Sequence, residues 1–287
     1  MSISLWIQGA RPRTLPAAIA PVVVATALAQ KLYSVDWLNA LLALTVGLAM
    51  QVGVNFSNDY SDGIKGTDTH RVGPLRLVGS GSASADAVKR AAISTYALGA
   101  LAGLILSLRT SILLTLVGAG AIIAAWTYTG SKNPYGYRGF GEISVFIFFG
   151  IIATNGTFYV TSHHFSRWAF LASITMGSLA CALLAINNLR DLPKDLAAGK
   201  RTLAVILGDL RARAMFNTFI VLAHVTSLMM SALSGWAVLT LALLPVSLSL
   251  TRRINRGAHG VELIPLLGAT GKLQMLLSTV LAITILI

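Results

Sequence analysis

Apolar stretches of about the length that crosses a bilayer recur along the 287-residue chain, separated by shorter polar connections. Nine such windows fall at roughly 14–32, 37–57, 88–108, 111–129, 141–161, 168–188, 214–232, 235–251 and 267–287. The pattern predicts an all-α polytopic membrane protein, a bundle of nine transmembrane helices, and disfavours a barrel of alternating strands. Arg11, Arg13, the following apolar run and Ala27-Leu28-Ala29 imitate a cleaved secretory signal. Pro16 and Pro21 interrupt that run and a whole polytopic chain follows, so it reads as the first span. No domain boundary is visible, and residues 1–287 read as a single membrane-embedded domain.

Composition agrees. Hydrophobic residues make up 55% of the chain, charged residues 11%, and mean hydropathy is +0.74, whereas a soluble domain carries about 25% charged residues. Placing the connections on alternate sides puts 19 of the 22 Lys and Arg residues on one face, leaving Lys31, Arg109 and Arg167 opposite. The positive-inside rule then predicts a cytoplasmic N-terminus, and an odd number of spans puts Ile287 on the other side. All acidic residues except Asp36 share the basic face. Topology accounts for most of the net charge of +12, so no nucleic-acid partner is needed; membrane lipid headgroups and an anionic substrate can use the rest. Cys181 alone supplies neither a disulfide nor a thiolate metal site.

Two basic-side loops, at about 58–87 and 189–213, are long enough to expect function as cytoplasmic caps. Each follows a span ending in Asn and Asp: Asn55 precedes Asp59 by four residues, with Asp62 next, and Asn187 precedes Asp191 by four, with Asp195 next. Helical spacing puts the two carboxylates of each set on one face. Such pairs repel beside a low-dielectric bilayer unless protons or a cation neutralise them, and oxygen ligands suit magnesium. Two acidic clusters on separate helices can each hold an ion with a diphosphate between them. Lys65, Arg71, Arg76, Arg190, Lys200 and Arg201, with Lys132 and Arg138 from another basic-side loop, are available to offset the remaining negative charge. Asn55 and Asn187 also suit helix caps or helix packing, and Asp68 suits a turn.

Asn55-x-x-Asn58-Asp59-Tyr60-x-Asp62, Tyr128 to Arg138 with Lys132 between, and Asp191-x-x-x-Asp195 followed by Gly199-Lys200-Arg201-Thr202-Leu203-Ala204 resemble the UbiA-type intramembrane aromatic prenyltransferases over essentially the whole chain. The resemblance implies nine helices around a central cavity, capped by the two long loops, with two magnesium ions holding a prenyl diphosphate. Arg11 to Pro16, Arg71 to Val78, Pro134 to Arg138 and Asn187 to Asp191 are similar to the 1,4-dihydroxy-2-naphthoate prenyltransferases of menaquinone synthesis. One departure is Gly66, where many relatives carry a further aspartate, which leaves the ligand number of the first motif open.

The expected activity is transfer of a polyprenyl group from its diphosphate to 1,4-dihydroxy-2-naphthoate with loss of diphosphate and carbon dioxide. Asp59, Asp62, Asp191 and Asp195 are the expected magnesium ligands, supported by Asn55 and Asn187. Lys132, Arg138, Arg190 and Lys200 are the expected clamps on diphosphate or the acceptor carboxylate, and Tyr128 the ring facing cation or acceptor. 4-Hydroxybenzoate is the alternative acceptor. A cation-coupled transporter also uses acids within a bundle, but explains poorly why both clusters sit on one face. His163 and His164, on the opposite face, lack carboxylate neighbours and read as a solvated loop.

Overall fold

The computed structural model describes residues 2–66 and 75–287. Among them the chain is helical throughout its ordered elements: α1 Ile3–Ala10, α2 Pro16–Leu32, α3 Trp37–Ile64, α4 Ala85–Arg109, α5 Leu114–Thr127, α6 Gly141–Ser162, α7 Arg167–Ala197, the short α8 Leu203–Leu207, α9 Asp209–Ala232, α10 Gly235–Asn255 and α11 Gly260–Leu286. Asp68 and the Arg71-Val72-Gly73-Pro74 part of the sequence signature lie outside the described residues.

Each of the nine apolar windows falls on a helix, but not every helix has the length to cross a bilayer by itself. Seven do: α3, α4, α6, α7, α9, α10 and α11. An eighth is the bent pair Ile3–Thr14 and Pro16–Leu32, which turns by 55° across Leu15, shortly after Arg11 takes a left-handed conformation (φ 53°) beside Pro12. Helix α5 has 14 residues, about 21 Å at 1.5 Å per residue, against a hydrocarbon core of about 30 Å.

The largest revision concerns the two polar segments. They do not begin as loops at 58 and 189: α3 stays helical to Ile64 and α7 to Ala197, Pro193 included. Apolar windows end where lipid ends, but backbone hydrogen bonding does not, and a helix whose polar side chains find partners simply continues. The connections that follow are 65–84 and 198–208, the second containing α8.

Helix α7 is the axis of the bundle. Within its most apolar window 78% of residues are buried, against 28% for α3, and it packs on α2, α6, α9 and α11. Where α6 crosses it, a Cβ on Gly150 would lie 2.6 Å from the Gly177 Cα, so the two backbones touch through glycine. The outer faces carry apolar side chains such as Leu98, Leu101, Leu108 and Leu116, as lipid contact requires. Far from the aspartates, Asp36 caps the start of α3 by accepting from the Asn39 backbone N–H at 3.0 Å and pairs with Arg109 at 2.7 Å. Asn39 donates to the Val160 carbonyl at 2.7 Å, so α3, α4 and α6 are tied together at that end.

Candidate active site

At the other end of α3, Asp59 and Asp62 part company. Asp59 is fully buried, and its two carboxylate oxygens accept the backbone N–H groups of Leu77 (2.8 Å) and Val78 (3.1 Å). Neighbouring glycines make room for the same turn: a Cβ on Gly63 would strike Val78, and one on Gly9 would strike Leu77, itself fully buried. Asp59 thus pins the segment after residue 75 onto α3 and lines neither of the two cavities described below. The sequence reads the same carboxylate as a metal ligand, and in the structure it meets these two amides.

Asp62 faces the other way. It accepts from the Tyr137 hydroxyl and, at 2.9 Å, from the Lys200 ammonium, and Arg76 lies 3.5 Å from its second oxygen. Tyr137 comes from a tight turn, Tyr135–Arg138, that folds back beneath Tyr128 because residue 136 is glycine: a Cβ there would sit 2.7 Å from the Tyr128 carbonyl. The Tyr137 ring is flanked by the ammonium groups of Lys200 (4.5 Å) and Lys65 (5.1 Å). Lys65 also donates to the Thr129 and Ser131 carbonyls, and partial burial holds its pKa below the usual lysine value.

On α7 both carboxylates keep to one side. Asp191, Asp195, Asn187 and Asn188 line a small polar cavity of about 90 Å³ together with Asp62, Arg76, Lys194 and Lys200. Asp191 is gripped by Arg190, whose Nε and Nη2 donate to its two oxygens at 2.8 and 2.7 Å, and Nη2 also donates to the Asn187 carbonyl oxygen at 2.8 Å. Arg190 is 4% exposed, and its Nη1 is buried without a hydrogen-bond partner.

The polar cavity adjoins an apolar one of about 690 Å³ between α2, α3, α5, α6 and α7. Arg11, Asn58, Tyr128 and Asn187 line both. Val22, Val46, Leu106, Val117, Phe148 and Ile152 are among the walls of the larger one, and Arg190 faces it too.

The expected site residues therefore divide. Asp62, Asp191, Asp195, Asn187, Arg190, Lys200 and Tyr128 are brought together around the two cavities. Asn55 lines the apolar cavity, where its amide donates to the Ala10 carbonyl (2.9 Å) and the Thr14 hydroxyl (3.0 Å), so it holds the bend between α1 and α2. Lys132 and Arg138 are exposed and line neither cavity; the loop that carries them contributes Tyr128, Thr129 and Tyr137 instead. The sequence does not single out Tyr137 or Asn188, although both lie within its family-like motifs at 134–138 and 187–191. A tyrosine beside an arginine, or one asparagine of two, offers no periodic signal of which side chain turns inward.

Among the described residues no three His, Cys, Asp or Glu side chains converge closely enough to share an ion. The donors around the polar cavity are nevertheless oxygens, and a small hard cation such as magnesium takes one or two protein carboxylates and completes its shell from phosphate and water. The residues fit that mode of binding.

Known proteins bear on this geometry in three ways. Residues 18–262 match the UbiA prenyltransferase family. A 1,4-dihydroxy-2-naphthoate octaprenyltransferase of Mycobacterium tuberculosis is 47% identical, covering 94% of this chain and 92% of its own, and that of Escherichia coli is 38% identical, covering 93% and 90%. A UbiA homologue from Archaeoglobus fulgidus, solved bound to DMAPP and Mg2+, superposes with a TM-score of 0.70 at 15% identity over 98% of each chain, which speaks for the fold alone. With carboxylates and cations gathered at one mouth of an apolar intramembrane cavity and the family match spanning most of the sequence, the chain belongs to the UbiA prenyltransferase family.

Proposed function

We propose that the protein transfers a polyprenyl group from polyprenyl diphosphate to 1,4-dihydroxy-2-naphthoate, releasing diphosphate and carbon dioxide, a step of menaquinone synthesis. The single observation that carries the reading is the junction of the two cavities, where a polar, cation-bearing chamber opens beside a much larger apolar one. A prenyl diphosphate has this bipartite shape, and the two curated relatives cited above carry that activity in their names.

Asp62, Asp191 and Asp195 are the residues that would hold magnesium. Asp59, read from the sequence as a fourth ligand, is left out of the set because its oxygens already hold the Leu77 and Val78 amides. Bound magnesium supplies positive charge that stabilises the departing diphosphate. Lys200, Arg76 and Lys194 add fixed cations at the same chamber. Walls such as Val46, Leu106 and Phe148 exclude water from the allylic carbon once its bond to diphosphate oxygen breaks. Tyr128, at the junction, presents a ring face to the resulting allyl cation. The ring carbon bearing the carboxylate attacks, the new carbon–carbon bond forms, and carbon dioxide leaves with its bond electrons returned to the ring. Atoms and charge then balance without an added base.

Arg190 is the acceptor's carboxylate partner in this reading, because it faces the apolar cavity and retains an unpartnered buried Nη1, whereas Arg138 is exposed. Nine crossings complete the proposed topology, with α5 as the shortest and the bent α1–α2 pair as the first. The N-terminus and the aspartate ends of α3 and α7 face the cytoplasm across the cell membrane, and Ile287 lies opposite.

The test crosses aromatic acceptors with prenyl diphosphates of several lengths and identifies products by mass, using acceptor labelled at the carboxylate carbon. One labelled carbon dioxide per transferred chain is expected. Label retained in the prenylated product would overturn the naphthoate assignment and leave a prenyltransferase of another acceptor.

A further inference from the structure

Glu142, in the first turn of α6, is a buried carboxyl with no part in the chemistry above and no place on either cavity wall. Its Oε1 accepts the side-chain amide N–H of Asn188 at 2.9 Å, and Glu142 is only 3% exposed. Asn188 does line the polar cavity. An amide has a donor end and an acceptor end on one planar group. With the donor nitrogen turned to Glu142, outside the cavity, the carbonyl oxygen is the end left for the cavity; among the described residues Asn188 makes no other side-chain hydrogen bond.

Its neighbour is set the opposite way. Asn187 accepts from Arg190 at 2.8 Å through its own Oδ1. A guanidinium never accepts, so the orientation of this amide is forced by its partner, and the NH2 group of Asn187 is the end left for the chamber. Two adjacent asparagines are thus turned in opposite senses, one by the Glu142 carboxyl and the other by the Arg190 guanidinium.

We propose that Glu142 is a positioning residue which, through Asn188, presents a fixed amide oxygen to the divalent cation in the polar cavity, while Arg190 turns Asn187 to offer N–H donors to the anionic diphosphate. The inference rests on the magnesium reading above. Carboxylates bring charge that any cation satisfies, but an amide oxygen held in one orientation adds a neutral hard ligand and leaves the charge balance of the site unaltered.

The test is Mn2+ titration by electron paramagnetic resonance on purified protein without substrates, comparing Glu142→Gln, Glu142→Ala, Asn188→Ala and the double variant Glu142→Ala with Asn188→Ala, with Asp191→Asn as the control. Partners that orient a ligand typically alter metal affinity 10- to 100-fold, and Asn188→Ala and Glu142→Ala should each weaken Mn2+ binding by about tenfold. The double variant should be no weaker than Asn188→Ala, because Glu142 acts only through that amide. Glu142→Gln keeps the shape and an acceptor oxygen and should retain most of the affinity, which also covers the case in which Glu142→Ala fails to fold. Equal losses for Glu142→Ala with and without Asn188 would overturn the proposal, as would unchanged affinity in Asn188→Ala while Asp191→Asn loses it. Unchanged affinity in Asp191→Asn as well would instead sink the underlying magnesium site.

Discussion

The ends of α3 and α7 carry similar Asn-to-Asp spacings and meet at one chamber, yet they are built differently. Helix α7 is the buried axis, and its Asn187, Asn188, Asp191 and Asp195 all line the polar cavity. Helix α3 is packed less deeply, with 28% of its most apolar window buried against 78% for α7; of its two aspartates one fastens a loop and the other reaches the cavity. The difference follows from what surrounds each helix. A central helix meets protein on every side, so a four-residue spacing can keep both carboxylates on the chamber. A peripheral helix end must also hold the chain that leaves it, and Asp59 does that by taking two backbone N–H groups that would otherwise be buried without partners.

This contrast predicts a graded series. Asp191→Asn should cut turnover on the order of a hundredfold or more at limiting magnesium, the scale of several kcal/mol of charge stabilisation, with the fold retained; near-normal turnover in a monodisperse variant would remove Asp191 from the site. Asp62→Asn should lose less, on the order of tenfold, because Lys200, Arg76 and Tyr137 still define the chamber and the change leaves two cations less compensated. The loss should appear mainly in apparent magnesium affinity, and an effect equal to that of Asp191→Asn would erase the proposed ranking.

Asp59→Asn should act by another route. It replaces one of two acceptors with an amide donor facing the Leu77 and Val78 N–H groups, costing about 1–3 kcal/mol. The expected reading is a lower unfolding temperature and faster proteolysis near residues 75–84, with metal affinity within about threefold of the parent. A large, selective loss of metal binding at unchanged stability would return Asp59 to the ligand set. The smallest effects concern the two arginines once equally eligible for the acceptor carboxylate. Arg190→Lys should raise the acceptor KM about tenfold more than that of the prenyl diphosphate, since an ammonium cannot reproduce the planar fork, while exposed Arg138→Lys should leave both within about twofold.

Helix positions were legible because lipid imposes length and apolarity on every span, and both aspartate sets were legible because charge at the end of such a span is conspicuous. The ends of α3 and α7 were not, since hydropathy marks where lipid stops and Ile64 and Ala197 lie beyond it. Nor did charge identify the clamps. Lys132 and Arg138 attract notice as cations, but the turn at Gly136 brings Tyr137 inward and leaves both of them outside. Glu142 and Asn188 were invisible for the opposite reason: each needs the other, and they are separated by 46 positions in the chain.

The thiol of Cys181, fully buried and directed at the Glu142 carbonyl oxygen at 3.2 Å, makes the unmodified chain chemically silent toward impermeant maleimides. Sidedness can therefore be mapped by adding one reporter cysteine at a time, at Asn133 or at His164, without first deleting the native one and disturbing the carbonyl it meets. Under the proposed topology these two reporters react from opposite sides of a sealed vesicle, and the parent chain gives no signal from either.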